Sequence, residues 1–173
     1  MEDARNIPDD VKWRLAARCA SMLPLMYDHV FRAKVGKDFD SLEQEIWIEI
    51  AKMAGHIIRD LSLPVGTAHD LAISLQNVTI ILFGPDYRGD VLDVSDDGAV
   101  ILVKRCPFLA HTADLGINND RAFTKCMALS LAAVPRINKK YSIRYVRTIC
   151  TGDRQCEMKI GPVLETKKNE IKE

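Results

Sequence analysis

The chain has 173 residues, 47% hydrophobic and 28% charged, which is typical of a globular protein with one domain. Its 24 basic residues equal its 24 acidic residues, so it lacks the basic excess of most nucleic-acid-binding proteins. No apolar run reaches the roughly 18 residues of a membrane span, and the polar N-terminus does not resemble a secretory signal, so we expect a cytoplasmic protein that binds neither nucleic acid nor membrane.

Helices are predicted in the first half of the chain. The predicted buried stripe of the first helix recurs every four residues and consists of Val11, Leu15, Cys19 and Leu23. Pro24 is expected to break or kink this helix, and a second short helix is predicted for residues 25–34.

Two further helices follow before the sequence period changes. Ser41 and Gln44 have capping-box spacing and predict the start of a long helix that stops before Pro64. Its predicted buried face consists of Ile46, Ile50, Met53, Ile57 and Leu61. Thr67 and Asp70 predict the cap of another helix. Gly84 is expected to end it, with the alternative that residues 80–83, which are also good strand formers, leave the helix earlier.

The second half predicts hairpin, helix and hairpin. Asp97-Gly98 lies between two β-rich runs and indicates the first hairpin. Residues 121–134 are predicted to form a helix that ends at Pro135. Residues 141–163 are predicted to form the second hairpin. The predicted fold class is α+β, with a helical layer over 9–84 packed on a four-stranded antiparallel sheet within 88–163. We expect residues 1–164 to form a single domain and residues 165–173 to form a polar tail that frays or makes a short exposed helix.

The five cysteines are expected to remain reduced in the cytoplasm, which favours free thiols, a metal site or thiol chemistry. We interpret Cys19 as a small buried hydrophobe. Cys106 ends a strand, Cys126 lies in the next helix, and Cys150 and Cys156 flank the last turn. A three-residue loop would place these last two on one face of the sheet, whereas a four-residue loop would place them on opposite faces.

The first register brings four thiols to one end of the sheet. Four thiolates can bind zinc or an iron–sulfur cluster. The candidate metal ligands are therefore Cys106, Cys126, Cys150 and Cys156. Their spacing lacks the paired C-x2-C units of zinc fingers, so the alternative is four unrelated thiols, some of them buried in strands.

Two other groups of residues are candidates for chemistry. His111 and Asp114 lie one helical turn apart, and a histidine oriented by a carboxylate can act as a base or metal ligand; the alternative is a surface turn with a local capping contact. Arg147 is predicted on an apolar strand face and needs an anion there. That anion is either a ligand or a protein carboxylate such as Asp153 or Asp93.

The segments "KRCPFLAHTADLG", "CMALSLAAV" and "RYVRTICTGDRQCEMKI" resemble the L-2-amino-thiazoline-4-carboxylic acid hydrolase-like family and the related four-vinyl reductase-like domains. The resemblance covers about residues 66–161. The matching positions are Cys106, Cys126, Arg147, Gly152, Asp153 and Cys156, with Cys150 matching the cysteine-paired hairpin. It implies a fold shared with small TRAPP subunits and heme-NO-binding domains, a ligand pocket between sheet and helices, and hydrolysis of a cyclic amidine or thiazoline. Cys126 is followed by "MALS", where the family often has an acidic residue.

Three functions follow as hypotheses. The first, ranked slightly above the second, is a small-molecule-binding domain whose cysteines hold zinc or an iron–sulfur cluster. The second is a hydrolase in which a thiolate or metal-bound water opens a cyclic C–N bond. For it, the candidate catalytic residues are Cys106, Cys126, His111 and Asp114, and the candidate ligand-binding residues are Arg147 and Asp153. The third is a non-catalytic interaction module that forms a homodimer or hetero-oligomer through its helical face.

Overall fold

The computed structural model describes residues 4–163, so the predicted polar tail lies outside the described residues. The helices are α1 (Asp9–Val35), α2 (Phe39–Asp60), α3 (Ala68–Phe83), α4 (Leu109–Thr112) and α5 (Asp120–Ile137). The strands are β1 (Arg88–Ser95), β2 (Gly98–Arg105), β3 (Tyr141–Arg147) and β4 (Cys156–Pro162). They form an antiparallel sheet with the strand order β1-β2-β4-β3. The predicted α+β class and the order hairpin, helix, hairpin are confirmed.

The core lies between the sheet and the helices. Apolar and polar side chains alternate along most of β3 and β4, which therefore bury one face, and β2 is apolar from Ala99 to Val103. Ile101, Met158 and Ile160 come from the two central strands and are buried. An aromatic cluster closes the helical side: the Trp47 and Phe108 ring centroids lie 5.6 Å apart, and those of Phe83 and Phe108 lie 4.6 Å apart. These contacts join α2 and α3 to the segment that follows β2.

The first helix is continuous through Pro24, so the predicted division into two helices is wrong. Proline has a helical φ and removes one hydrogen bond from the helix. The neighbouring side chains Ser21 and Leu25 are both buried, and this packing holds the helix together across the proline. The chain reverses at Gly36, which has a φ of +70°.

The start of α2 also differs from the prediction. A 3₁₀ turn over Gly36–Asp38 leads directly into α2, which begins at Phe39 without a side-chain cap. Ser41 Oγ donates to the Asp38 carbonyl and therefore does not form the predicted capping box. In contrast, the capping box of α3 is confirmed, because Thr67 and Asp70 each accept a hydrogen bond from the backbone N–H of the other.

The buried faces of α1 and α2 are not the predicted ones. The buried residues of α1 are Ala17, Ser21, Leu25 and Asp28, and those of α2 are Phe39, Glu43, Trp47, Ala51, Ala54 and Ile58. The exposed fractions of Ile46, Met53 and Leu61 are 56%, 53% and 54%, and Cys19 is exposed as well. Alanines on the buried faces let the helices approach closely, and the buried carboxylates meet an opposite charge. Ile46, Met53 and Leu61 therefore remain outside.

The connection between β3 and β4 is longer than either predicted loop. It spans residues 148–155 and contains a 3₁₀ turn at Ile149–Thr151, followed by Gly152 with a φ of +107°. Cys150 therefore lies outside both strands. Cys156 begins β4 and pairs with Val103 of β2, so neither predicted register of Cys150 against Cys156 occurs.

Candidate functional site

Three of the four candidate thiols line a small apolar cavity between the sheet, α3 and α5. Its volume is about 60 Å³. Cys106, Cys126 and Cys156 contribute to its wall, together with apolar residues such as Val103 and Leu129. Cys150 is half-buried against the neighbouring core. The structure thus places the four cysteines in one region, in a hydrocarbon environment.

The environment of these thiols keeps them protonated. Burial raises the pKa of Cys126 to about 12, and burial followed by the proximity of Cys106 raises the pKa of Cys150 to about 12. Burial also raises the pKa of Cys106 and of Cys156. A thiol must lose its proton to act as a nucleophile or metal ligand, so near neutral pH this arrangement favours neither role.

The predicted metal-binding cysteine cluster is wrong for the part of the chain that the structure describes. Within residues 4–163, no group of three or more His, Cys, Asp and Glu side chains is arranged to hold a metal ion. The hydrogen bonds agree with thiol roles in packing. Cys126 Sγ lies 3.1 Å from Tyr145 Oη, and Cys156 Sγ accepts from the Ile149 N–H at 3.4 Å.

The candidate catalytic residues do not meet in one cavity. Cys106 and Cys126 line the thiol cavity, whereas His111 lines a separate pocket against α1. His111 Nε2 lies 3.2 Å from Ser21 Oγ, and Asp114 is exposed. The proposed transfer of protons between His111 and a cysteine nucleophile therefore has no geometric basis here.

The candidate ligand-binding residues have protein partners. A bulge after Tyr145 breaks the regular pairing of β3, and Arg147 is exposed, with Nη1 3.6 Å from Glu157 Oε2. Asp153 Oδ2 accepts from the Thr148 N–H at 2.9 Å and so stabilises the β3–β4 connection. Asp93 pairs with a histidine of α3.

A buried charged cluster was missed by the sequence analysis. Lys125 Nζ on α5 lies 2.6 Å from Asp28 Oδ2 on α1 and 2.8 Å from Glu43 Oε1 on α2. Arg32 Nε lies 2.6 Å from Asp28 Oδ1. Burial opposes ionisation of Asp28, but hydrogen bonds from Arg32 and Lys125 outweigh it and lower its pKa. Burial raises the pKa of Glu43.

The cluster had a detectable signal in the sequence. Lys125 falls at helical spacing between Ala122 and Leu129, which are both buried, and Asp28 continues the buried spacing of α1. Charged residues of opposite sign on two apolar faces predict a buried ion pair. Solvent cannot reach the Lys125 side chain, so the cluster connects three helices rather than presenting a reactive amine.

Exposed apolar side chains form a stripe on each of the helices α1 and α2. We define the outer stripe of α2 as Leu42, Ile46, Ile50, Met53, Ile57 and Leu61, and the outer stripe of α1 as Leu23, Met26, Tyr27 and Val30. All are exposed except Ile50 and Ile57, which are half-buried. Apolar patches larger than a few hundred Å² mark interaction sites.

Among the described residues, no helix combines the length and the hydropathy needed to cross a membrane.

The comparisons with known proteins show the fold. No protein-family model matches the chain, and no curated protein matches it. The structure is similar to trafficking protein particle complex subunit 3 from Naegleria fowleri, which was solved covalently bound to palmitic acid. The TM-score is 0.58 at 12% sequence identity, over 84% of this chain and 95% of that chain. The predicted TRAPP-like fold is therefore confirmed.

The terms drawn from the sequence need correction where the comparisons and the side chains give them no support. The fold comparison gives no evidence for the descriptions hydrolase-like or four-vinyl reductase-like, because the similar solved structure is that of a trafficking subunit and its 12% identity shows the fold alone. The metal-binding description is overturned by the arrangement of the side chains in residues 4–163. The sequence resemblance to the thiazoline-carboxylate hydrolase-like family remains a prediction.

Proposed function

We propose that this chain is a non-catalytic interaction module that forms a homodimer through the outer stripe of α2, extended by the outer stripe of α1. The supporting observation is that these stripes have the helical spacing of a buried face, yet the chain by itself leaves them exposed. The trafficking subunit with a similar fold is a component of a protein complex, which agrees with an assembly role.

The α2 stripe is complementary to itself in an antiparallel pair. A two-fold axis between Ile50 and Met53 pairs these two residues across the interface. The same axis pairs Ile46 with Ile57 and Leu42 with Leu61. Every apolar position then meets an apolar position of the other copy, as a two-fold symmetric interface requires.

Charges beside the stripe support the same pairing. On one flank, Glu45 and Glu49 lie towards the N-terminal half of α2, whereas Lys52 and Arg59 lie towards its C-terminal half. Antiparallel pairing brings Glu45 of one copy near Arg59 of the other. The formal net charge of the chain is zero, so two copies meet without net repulsion.

The area of the stripes is compatible with an interface. The α2 stripe spans 20 residues, or about 30 Å at 1.5 Å per residue, on a helix about 10 Å across. It therefore covers on the order of 300 Å², which is at the lower end of the largest apolar patch on a typical monomer, and the α1 stripe enlarges this area.

The thiol cavity gives no second function. An apolar cavity of about 150 Å³ holds one benzene molecule, whereas this cavity measures about 60 Å³. The acyl ligand of the trafficking subunit is therefore not part of the proposal.

Light scattering after gel filtration tests the dimer. We expect twice the chain mass of 19.4 kDa for the native protein, and a monomer for Ile46→Lys, because the substitution buries an unpaired charge in the interface. Leu92→Lys is the matched control, since Leu92 is exposed on the sheet, and it should remain a dimer. A native chain that is monomeric at all concentrations would refute the proposal.

A further inference from the structure

A second pocket lies on the other side of α1 from its outer stripe. Its volume is about 360 Å³. Arg14, Arg18 and Ser21 of α1 form one wall, the α3–β1 connection contributes Asp86, and His111 closes the pocket from α4. Neither the proposed dimer nor the thiol cavity uses these polar side chains.

The hydrogen bonds define the proton positions on His111. Ser21 Oγ donates its single proton to the Arg18 carbonyl at 3.0 Å. With that proton used, we assign Nε2–H of His111 as the donor in its 3.2 Å contact with Ser21 Oγ. In neutral imidazole the other ring nitrogen carries the lone pair, so Nδ1 of His111 is a hydrogen-bond acceptor.

This acceptor is unused by the part of the chain that the structure describes. His111 is buried, with 9% of its surface exposed, and within residues 4–163 the only hydrogen bond of its side chain is the one to Ser21. Among residues 4–163, the side-chain atoms that lack both solvent contact and a hydrogen-bond partner are Arg32 Nη2 and Gln76 Oε1. His111 Nδ1 is not one of them, so it retains some accessible surface, and His111 lines the pocket.

Burial is the main reason that His111 is neutral. Burial and the positive charge of Arg18 lower its pKa, against the opposing carboxylates Asp114 and Asp86. At the pocket mouth, Arg14 pairs with Asp10. Arg18 is exposed and, within residues 4–163, forms no ion pair with a carboxylate. The pocket therefore combines a cation without a counter-ion and a neutral acceptor nitrogen.

We propose that this pocket binds a small oxyanion that keeps an O–H or N–H proton at neutral pH. The oxyanion binds the Arg18 guanidinium, and the proton is donated to His111 Nδ1. Hydrogen phosphate is the simplest molecule with both features. Sulfate has a similar size and the same charge of about −2 at neutral pH but has no proton to donate, so it lacks a partner for Nδ1.

Calorimetric titration of the native protein with inorganic phosphate and with sulfate, near neutral pH, tests the proposal. We expect phosphate to bind in the millimolar range and sulfate to bind at least about tenfold more weakly, because a site that accepts a ligand proton discriminates against an analogue without one. Equal affinity for the two anions would overturn the role of His111. Absence of phosphate binding at tens of millimolar would overturn the site.

Two further measurements locate the contacts. Arg18→Gln should weaken phosphate binding about tenfold or more. Arg154→Gln removes an exposed loop arginine and should leave phosphate binding unchanged. Equal effects of the two variants would show general charge attraction and would overturn the contact with Arg18. Imidazole nitrogen NMR should show the Nε2–H tautomer of His111 and a phosphate-dependent shift of Nδ1. The opposite tautomer would contradict the assignment even if phosphate binds.

Discussion

Lys125 Nζ lies 2.6 Å from Asp28 Oδ2, and solvent reaches none of the lysine side chain and 2% of the aspartate side chain. The two residues are 97 positions apart in the chain and join α5 to α1. Glu43 of α2 contacts the same amine at 2.8 Å. One buried cation therefore holds together three helices, including the two that carry the outer stripes.

Removal of the buried amine should destabilise the fold strongly. Lys125→Met leaves Glu43 and one oxygen of Asp28 without their cation, and loss of one partner of a buried ion pair costs about 3–5 kcal/mol. Lys52→Met is the matched control, because Lys52 pairs with Glu49 at the surface and should change the free energy of unfolding by less than about 1 kcal/mol. Urea unfolding at equal protein concentration measures both, and equal midpoints would contradict the prediction.

Two glycines should respond to alanine in opposite directions. Gly84 has a φ of +103°, and a Cβ there would lie 3.1 Å from the Cβ of Ala17, so Gly84→Ala should cost about 1–3 kcal/mol. Gly55 lies inside α2, where a new Cβ meets nothing closer than 3.9 Å. Gly55→Ala should stabilise by about 0.5–1 kcal/mol. Thermal unfolding at equal protein concentration checks the pair, and a stabilising Gly84→Ala would show that α1 does not pack as described.

Stability should fall at alkaline pH because of the buried thiols. Burial raises the pKa of Cys126 from an ordinary value of 9.0 to about 12. A raised folded-state pKa contributes stability that is complete below pH 9 and is lost as the pH rises towards 12, since the unfolded thiol ionises first. We expect Cys126→Ala to reduce the slope of unfolding free energy against pH in that window. Equal slopes for the native protein and Cys126→Ala would refute the assignment.

The antiparallel arrangement of the dimer predicts a charge-swap rescue. Glu45→Arg places like charges near Arg59 of the other copy and should raise the dissociation constant by about threefold to tenfold, as expected for a partly exposed pair. Arg59→Glu should have a similar effect, and the double variant should restore most of the native affinity. Sedimentation equilibrium measures all three, and additive weakening in the double variant would exclude this pairing.

The sequence by itself determined most of the local structure. The capping box of Thr67 and Asp70, the end of α3 at Gly84 and the order of hairpins and helix follow from short-range chemistry, and the structure agrees with each. The prolines were less informative: α1 passes through Pro24 and α5 through Pro135. A proline removes one helix hydrogen bond, and packing on either side outweighs that loss in this fold.

The tertiary structure decided which faces and which thiols meet. Periodicity identifies an apolar stripe on α2 but does not tell which face of the helix is buried. One face carries Ile46 and Met53, and the other carries Glu43 and Trp47. The choice depends on Lys125, which is more than 80 residues away and supplies the charge that lets Glu43 be buried. Likewise, four cysteines suggested a metal site, but only the packed sheet and helices surround them with hydrocarbon and keep them protonated. Long-range contacts set the burial and the local dielectric, and these quantities cannot be read from spacing along the chain.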